Sequence, residues 1–473
     1  MSGETHAVVL GGGLAGMLAA TVLARHMAAV TVVERDVLPD GPRQRRGVPQ
    51  ARHAHLLWSG GARAIESLLP GTAERLLSLG AHRLAVPRDI VWFTPYGWQR
   101  RLPGSEFMFT CGRPLLDWVV RDQALNDKRV TVLAETEAVE LTGTADRVTG
   151  VRVRGANGDT ADLPADFVVD TAGRGSAMRR WLGALGLPPV EEDVVDSGIA
   201  YATRVFRAPP AAAGGFPMVN VAAAPGVGKP GRNGALAPIE DGRWLVTLAG
   251  TRGAEPTTED DAFLDFARSL RHPVIAELLE RAEPLGPVTG SRSTVNRRLR
   301  YDRMPHWPDG LLVLGDALAA FNPIYGHGMS SAALGALALD RELARGRLAP
   351  GTARAAQRAV AEAVDDPWML ATTQDICYPG VRVDSTDPRI ASRPPEQQQY
   401  TDMVSTAALY DPVVSAAAMR VTALAAPVSL LQSTKVVMAL RTAARHQPLT
   451  APPFSVAERA RLDGDAAAAL TTT

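Results

Sequence analysis

The stretch Ala7-Val8-Val9-Leu10-Gly11-Gly12-Gly13-Leu14-Ala15-Gly16 decides the fold. Its four apolar residues are typical of a buried parallel strand, and the glycines that follow have the spacing G-x-G-x-x-G. In this motif Gly11 allows a tight turn, Gly13 lets the backbone approach a pyrophosphate, and Gly16 lets the next helix pack closely. We expect these glycines, with the intervening Leu14 and Ala15, to bind a dinucleotide at the start of that helix.

A second strand and an acidic residue complete this unit. The apolar run 30–33 leads directly to Glu34, at the distance from the glycines where a carboxylate accepts ribose hydroxyl groups. Strand, glycines, helix, strand and acid in this order are a strong indication of a dinucleotide site. Arg35 follows Glu34 and either stacks near an adenine or is a surface cation; the sequence leaves both open.

A distant segment indicates that the dinucleotide is FAD. The apolar run 310–314 ends in Gly315-Asp316, where an aspartate at the end of a strand can bind the hydroxyl groups of a ribityl chain. The loop after it, 322–329, contains further glycines and leads into a helical stretch, so its N–H groups can meet an anionic ring edge. The residues expected to bind FAD in this segment are Asp316, Pro323, Gly326, Gly328 and Met329.

With these motifs the chain resembles the class A flavoprotein monooxygenases, which have the p-hydroxybenzoate hydroxylase fold. Asp170-Thr171-Ala172-Gly173-Arg174-Gly175-Ser176 stands where that family has its middle motif, but Ala172 replaces the usual Asp. Because that motif is associated with NADPH, the resemblance leaves open whether NAD(P)H reduces the FAD directly or through a flavin reductase. Arg113 matches an arginine that the family places near the FAD. The resemblance implies oxygen transfer through a flavin C4a-hydroperoxide, with no catalytic side chain expected.

A narrower resemblance concerns the substrate. The loop 45–57, which includes Arg46, is similar to that of actinomycete polyether-ionophore epoxidases of the lasalocid and monensin type, as are 296–301 and 321–329. This implies epoxidation of a polyene polyketide, free or carrier-bound, in antibiotic biosynthesis. Two alternatives remain: an FAD-dependent hydroxylase of an aromatic natural product, and a flavin-dependent double-bond reductase like the geranylgeranyl reductases.

Motifs and strand patterns together predict the α/β fold class. We expect a Rossmann-like FAD-binding domain, an antiparallel β-sheet substrate domain and a C-terminal helical region. The predicted boundaries are 1–85, 106–195 and 286–349 for the FAD-binding domain, 86–105 and 196–285 for the substrate domain, and 350–473 for the helical region.

The substrate is expected between the flavin loop and the antiparallel sheet. Aromatic side chains from both suit a long apolar ligand. The predicted lining residues are Trp92, Phe93, Trp98, Phe206, Trp244, Phe321 and Tyr325.

Composition limits the partners and the cellular compartment that we expect. With 50 basic and 50 acidic residues, the net charge of zero gives no argument for nucleic acid. Two cysteines are too few for a disulfide framework and no signal peptide is evident, so we expect a cytoplasmic protein. The apolar stretch 421–434 is shorter than the roughly 20 residues of a membrane span. His53 and His55 fit a hydrogen-bonding pair better than metal ligands, and no metal is expected.

Overall fold

The computed structural model describes residues 5–226, 228–391, 395–442 and 446–463. Small parts of each predicted domain lie outside the described residues. These are residues 1–4 of the FAD-binding domain, residue 227 of the substrate domain, and 392–394, 443–445 and 464–473 of the helical region.

The strands belong to several sheets that the chain visits in turn. In chain order they are β1 His6–Leu10, β2 Ala29–Val33, β3 Leu56–Trp58, β4 His82–Val86, β5 Ile90–Thr94, β6 Gly97–Trp98, β7 Glu106–Thr110, β8 Val130–Leu133, β9 Thr136–Gly143, β10 Val148–Gly155, β11 Thr160–Pro164, β12 Phe167–Asp170, β13 Glu192–Asp196, β14 Ala200–Arg207, β15 Met218–Val221, β16 Arg232–Ile239, β17 Arg243–Gly250, β18 Glu283–Ser291, β19 Asn296–Leu299, β20 Leu311–Val313, β21 Ala319–Ala320 and β22 Arg382–Asp384.

The helices cover these sheets and dominate the last third of the chain. In chain order they are α1 Leu14–His26, α2 Ser59–Leu68, α3 Thr72–Ser78, α4 Arg113–Leu125, α5 Met178–Ala184, α6 Asp260–Arg268, α7 Val274–Leu279, α8 Gly328–Gly346, α9 Thr352–Ala363, α10 Asp365–Asp375, α11 Pro388–Ala391, α12 Pro395–Ala407, α13 Pro412–Thr422, α14 Thr434–Thr442 and α15 Val456–Asp463.

A five-stranded parallel sheet carries the two predicted flavin motifs. Its order is β20-β12-β1-β2-β8, so β1 and β20, about 300 residues apart in sequence, have one strand between them. Most of its side chains are buried because helices cover the sheet, as is usual for parallel strands, and the exposed ones include Thr131 and Leu133 on the edge strand β8. Val8, Val168 and Leu312 from its strands, with Leu18 of α1 and Leu339 of α8, are fully buried in one core. The carboxyl ends of β1 and β20 therefore open at the same edge.

A seven-stranded sheet forms the second layer, in the order β18-β14-β17-β16-β15-β5-β6. It is antiparallel except for the pairing of β5 with β15, which brings the segment predicted at 86–105 into the same sheet as 196–285. The last strand, β18, continues to Ser291. Helices α6 and α7 pack against one face, where Phe263 and Ile275 join a second core. The other face turns toward the flavin motifs.

A cluster of ion pairs, partly buried, attaches the C-terminal helices to the rest of the chain. Asp365, at the start of α10, accepts hydrogen bonds from Arg298 of β19 (2.7 Å) and from Arg389 (2.8 Å), and Arg389 also pairs with Asp387. The Arg298 side chain is almost fully buried. The structure confirms the predicted fold class: a parallel FAD-binding sheet, antiparallel sheets and a helical C-terminal region.

None of the helices in the described ranges is both long and apolar enough to cross a membrane.

Candidate active site

The glycine turn after β1 leaves no room for side chains. Gly11 has a φ of +99°, and a Cβ there would lie 3.0 Å from the carbonyl oxygen of Thr171. A Cβ at Gly16 would overlap the carbonyl oxygen of Gly11 at 1.8 Å, so α1 can approach the turn only with glycine here. Gly13 lies just before α1, which begins at Leu14. The turn thus leaves the N-terminal N–H groups of α1 free to bind an anion.

Glu34 lies directly beside this turn and is buried. One carboxylate oxygen accepts hydrogen bonds from the N–H of Gly12 and from Arg45, each at 2.7 Å, and the other accepts from the N–H of Asp36 at 2.9 Å. Burial alone would raise the pKa of Glu34, but Arg45 and these two N–H groups outweigh it and hold the pKa below its ordinary value. Glu34 is therefore an ionised acceptor at the place where the sequence predicts ribose binding.

Two neighbouring arginines differ in their position. Arg46, which the sequence analysis included among the FAD-binding residues, is exposed, as is Arg35. Arg45 instead turns inward: only 8% of its side chain is exposed, and its Nη2 is 3.5 Å from the position that a Cβ of Gly13 would occupy. Sequence reasoning missed Arg45, because nothing local distinguishes two adjacent arginines in one loop.

The second motif packs closely against the first because Gly315 has no side chain. Gly315 has a φ of +68°, and a Cβ there would be 2.9 Å from the Cβ of Ala15, in the first turn of α1. This close approach places Asp316 at the edge where the glycine turn opens. The Asp316 side chain is 37% exposed, and the nearest charge to it is Arg174, whose Nε is 4.0 Å away. Its carboxylate is thus available to a ligand.

The flavin loop, residues 322–328, follows Asp316. The Asn322 side chain accepts the N–H of Ile324 at 3.2 Å and so fixes the short turn that begins with Pro323. Gly326 has a φ of +67°, and Gly328 opens helix α8, in which Met329 is buried. The free N–H groups of this first turn face the same edge as those of α1.

Two histidines and an arginine lie near the loop. His55 Nδ1 is 2.8 Å from the carbonyl oxygen of His53, and His53 Nδ1 is 2.8 Å from Thr203 Oγ1 on the antiparallel sheet. Burial, and then the positive charge of Arg113, lower the pKa of His55 to about 3; burial, and then Arg52, lower that of His53 to about 4. Both imidazoles are therefore neutral at pH 7.

Arg113 is held by an acidic neighbour, and the histidines are not part of a cluster of metal ligands. Arg113 is the first residue of α4 and donates from its Nε to Asp117 at 2.7 Å. Across the described chain, no three His, Cys, Asp or Glu side chains come together as a metal site would require.

The predicted aromatic wall divides between the two faces of the antiparallel sheet. Alternation along a strand sends successive side chains to opposite faces. On β14, Tyr201 and Thr203 face the flavin loop, so Phe206 faces α6, where its ring is 6.0 Å from that of Phe263. The structure therefore does not bring every predicted residue to the loop: Phe93, Trp98, Phe206 and Trp244 pack in or against the core under α6 and α7.

The remaining predicted wall residues lie on the flavin side. Trp92 packs with Trp58 and Met218 in a small apolar cluster. Trp58 donates from its indole N–H to the carbonyl oxygen of Tyr325 at 3.1 Å, which joins this cluster to the flavin loop. Phe321 is buried at the beginning of the loop.

A cavity of about 680 Å³ opens at the β18 edge of the antiparallel sheet. Tyr201 forms part of its wall and donates through its hydroxyl to Asn322 at 2.6 Å. The cavity is lined by Ala200, Tyr201, Gly290, Ser291, Arg292 and residues 255–259.

The arrangement fits FAD. Glycines leave the backbone N–H groups at two helix N-termini accessible. Two hydrogen-bond acceptors, Glu34 and Asp316, lie at the ends of β2 and β20. A buried polar atom beside the glycine turn, Arg45 Nε, has no hydrogen-bond partner within the described chain. Unsatisfied buried groups of this kind are expected where a polar ligand binds.

Fold and site define a dinucleotide-binding flavoprotein. The chain matches the family described as FAD binding domain over residues 4–357 and belongs to it, among the FAD-dependent monooxygenases and hydroxylases.

Two named relatives are similar in sequence to this chain. Protein Rv3254 of Mycobacterium tuberculosis is 32% identical over 388 residues, which are 79% of this chain and 81% of that protein. Kynurenine 3-monooxygenase of Salinispora tropica is 29% identical over 358 residues, 70% of this chain and 71% of that enzyme.

Solved structures share the fold at low sequence identity. The flavin-dependent brominase Bmp2 superposes with a TM-score of 0.65 at 14% identity, covering 93% of this chain and 98% of that one. The p-nitrophenol 4-monooxygenase PnpA of Pseudomonas putida has a TM-score of 0.61 at 15% identity, covering 92% and 98%.

Proposed function

We propose that this FAD-dependent monooxygenase epoxidises alkenes of an apolar polyene, a polyketide of natural-product biosynthesis. The observation that carries the proposal is the low pKa of the two histidines near the flavin loop, which makes both of them weak bases. His53 and His55 are neutral at pH 7, and burial raises the pKa values of Tyr201 and Tyr325 well above the ordinary value of tyrosine. Oxygen transfer to an alkene requires no ionised substrate, whereas hydroxylation of a phenol gains from a base.

In this proposal the chain binds and orients, and FAD supplies the activation of oxygen. The glycine turn and Glu34 hold the adenosine half, while Asp316 and the flavin loop hold the flavin half. The apolar cluster around Trp58 and Trp92 and the neutral imidazoles keep charge and bulk water away from the reacting alkene. Thr203 and Thr247, whose hydroxyl groups are 2.8 Å apart, orient His53 at the sheet surface.

The source of electrons is part of the proposal. NAD(P)H reduces the FAD directly or through a separate flavin reductase, and the alanine at position 172 favours the second route. The substrate is free or attached to a carrier, and the enzyme acts in the cytoplasm. Anaerobic mixing with NADPH, with and without a reductase, separates the two routes: rapid bleaching of the flavin without reductase establishes the direct one.

Hydroxylation of an aromatic natural product is the second candidate. It is favoured by the similarity to kynurenine 3-monooxygenase, an enzyme named for oxygenation of an aromatic compound. The two candidates differ in which of two offered substrates receives the oxygen atom.

The test is a competition between a trisubstituted polyene and a phenol, with FAD, NADPH, a flavin reductase and oxygen-18 gas. Labelled oxygen on the polyene alone supports epoxidation, and label on the phenol alone supports aromatic hydroxylation. An unlabelled product with one alkene saturated would identify a double-bond reductase and overturn both. A parallel reaction in oxygen-18 water, which should give no label, excludes hydration.

A further inference from the structure

A buried aspartate from the C-terminal region lies behind the flavin loop. Asp375, the last residue of α10, is 1% exposed. Its Oδ1 accepts the Tyr325 hydroxyl at 2.6 Å, and both its oxygens accept the Asn322 amide, Oδ1 at 3.2 Å and Oδ2 at 2.9 Å. Its Oδ2 also accepts from the Asn296 amide at 2.7 Å and from the Ser197 hydroxyl at 3.1 Å. Four side chains from three separate segments thus converge on one carboxylate.

The orientation of both amides is fixed by backbone N–H groups. Asn322 Oδ1 accepts from the N–H of Ile324, and Asn296 Oδ1 accepts from the N–H of Asn322 at 2.7 Å. Each amide must therefore turn its NH₂ group toward Asp375. Burial raises the pKa of Asp375, and the hydrogen bonds from Tyr325, Asn322, Asn296 and Ser197 act in the opposite direction. Because both of its oxygens receive donors, the group is best satisfied as the ionised carboxylate.

The charge of this carboxylate has no counter-ion. Among the described residues, no Arg, Lys or His forms a salt bridge with Asp375. Asp387, a second buried aspartate of the C-terminal region, instead pairs with Arg389 at 2.6 Å. Burying an unpaired charge is expensive, and an uncharged residue would fill this space at lower free energy. The position therefore calls for a role beyond packing.

The hydrogen bonds of Asp375 hold both ends of the turn that shapes the flavin loop. Asn322 and Tyr325 are at the two ends of the turn that precedes Gly326 and Gly328. Tyr201, which belongs to the antiparallel sheet, donates to the same Asn322. The carboxylate thus connects the flavin loop to the substrate-side sheet through a single asparagine.

We propose that Asp375 is a positioning residue that holds the flavin loop in its FAD-binding shape and places a negative charge behind it, making the bound flavin harder to reduce. This proposal goes beyond the proposed function and holds for any substrate of the enzyme. The positioning part acts through Asn322 and Tyr325. The charge part acts through space, because a negative charge disfavours the added electrons in a medium of low dielectric.

The test uses Asp375→Asn in the full chain, with Asp387→Asn as the matched control. We expect Asp375→Asn to bind FAD about tenfold more weakly, the loss of one to two buried hydrogen bonds. The midpoint potential of its bound flavin should shift to a more positive value. Asp387→Asn removes an equally buried carboxylate away from the loop, so its flavin affinity and potential should match those of the parent. Fluorescence titration of the apoprotein and spectroelectrochemistry measure both.

A second variant separates the positioning role of Asp375 from its charge role. It remains informative even if the first variant does not fold. Tyr325→Phe removes the 2.6 Å hydrogen bond and keeps the carboxylate. We expect about fivefold weaker FAD binding with little change in potential. Parental FAD affinity in Tyr325→Phe would overturn the positioning role. A parental potential in Asp375→Asn would overturn the charge role.

Discussion

The guanidinium group of Arg45 lies 2.7 Å from the carboxylate of Glu34, and both side chains are almost fully buried beside the glycine turn. Without Arg45, the carboxylate would be an uncompensated negative charge next to the place where the pyrophosphate is expected. The pair therefore makes an acidic residue compatible with an anionic ligand.

Arg45→Ala should weaken FAD binding by at least about tenfold, because it exposes the phosphates to the charge of Glu34. Arg46→Ala, in the exposed neighbour, should bind FAD like the parent. Equilibrium titration of both apoproteins with FAD measures the difference. Equal losses in the two variants, or a loss confined to Arg46→Ala, would show that the sequence-based choice of Arg46 was right.

Asp316→Ala should lose FAD while the fold is retained. Asp316 is more than a third exposed and its nearest charged neighbour is 4.0 Å away, so its removal disturbs little of the protein. The purified variant should be colourless and should melt close to the apo form of the parent. Asp146→Ala, at an almost fully exposed aspartate, is the control and should remain yellow. A yellow Asp316→Ala with parental affinity would contradict the predicted ribityl contact.

Asp365→Asn should destabilise the attachment of the C-terminal helices. The variant leaves the buried guanidinium of Arg298 without its carboxylate partner, which should lower the free energy of unfolding by about 3 kcal/mol at pH 7. Urea denaturation followed by circular dichroism measures this difference.

The effect of Asp365 should depend on pH in a defined direction. Burial would raise its pKa, but hydrogen bonds and charges from Arg389 and Arg298 outweigh burial and hold the pKa well below the ordinary value. A carboxyl group with a lowered pKa stabilises the fold above its unfolded-state pKa and loses this effect as pH falls through the folded-state value. The difference between parent and Asp365→Asn should thus be constant above about pH 5 and shrink below about pH 4. A difference that grows in acid would contradict the ion pair.

Under the proposed function, the rate of alkene oxidation should be insensitive to pH near neutrality. His53 and His55 have pKa values of about 4 and about 3, so neither changes charge between about pH 6 and about pH 9. With saturating reductase, kcat/KM for the polyene should be flat over this range. An inflection between about pH 6 and about pH 7 that disappears in His53→Gln would instead assign that imidazole an acid–base role.

The local parts of the fold were predictable from the sequence. The turn after β1 depends on glycines at fixed spacing, and such spacing is visible in a single sequence. The close approach of Gly315 to Ala15 joins residues about 300 positions apart and was not predicted. The parallel order of the strands follows from the same units, since strand–helix–strand connections place their carboxyl ends at one edge. That the N-termini of α1 and α8 lie at this edge could therefore be predicted from the sequence.

The sequence did not predict equally well which face of the antiparallel sheet each side chain occupies. Alternation places Tyr201 and Phe206 on opposite faces of β14, but it does not tell which face meets the flavin loop. That choice is decided by α6 and α7, whose apolar side chains cover Phe206 and Trp244. The predicted aromatic wall therefore mixed both faces.

Asp375 illustrates a second limit of sequence reasoning. It ends an unremarkable helix, and its partners Asn322 and Asn296 are more than 50 residues away along the chain. Only the packing of α10 against β19 reveals that these polar residues share one buried cluster. The arginine-rich segment of β19 carried a signal for this packing, because its cations required buried acidic partners.

The hydrogen bond between Asn322 and Asp375 has a consequence for protein engineering. The region shared with the FAD binding domain family ends at residue 357, so the loop lies inside it and its carboxylate partner lies outside. A chimaera that joins residues 4–357 to the tail of a relative would sever this bond unless the incoming tail supplies its own acid. Grafts of the C-terminal helices should therefore keep α10 with the FAD-binding domain, and the crossover should be placed after Asp375.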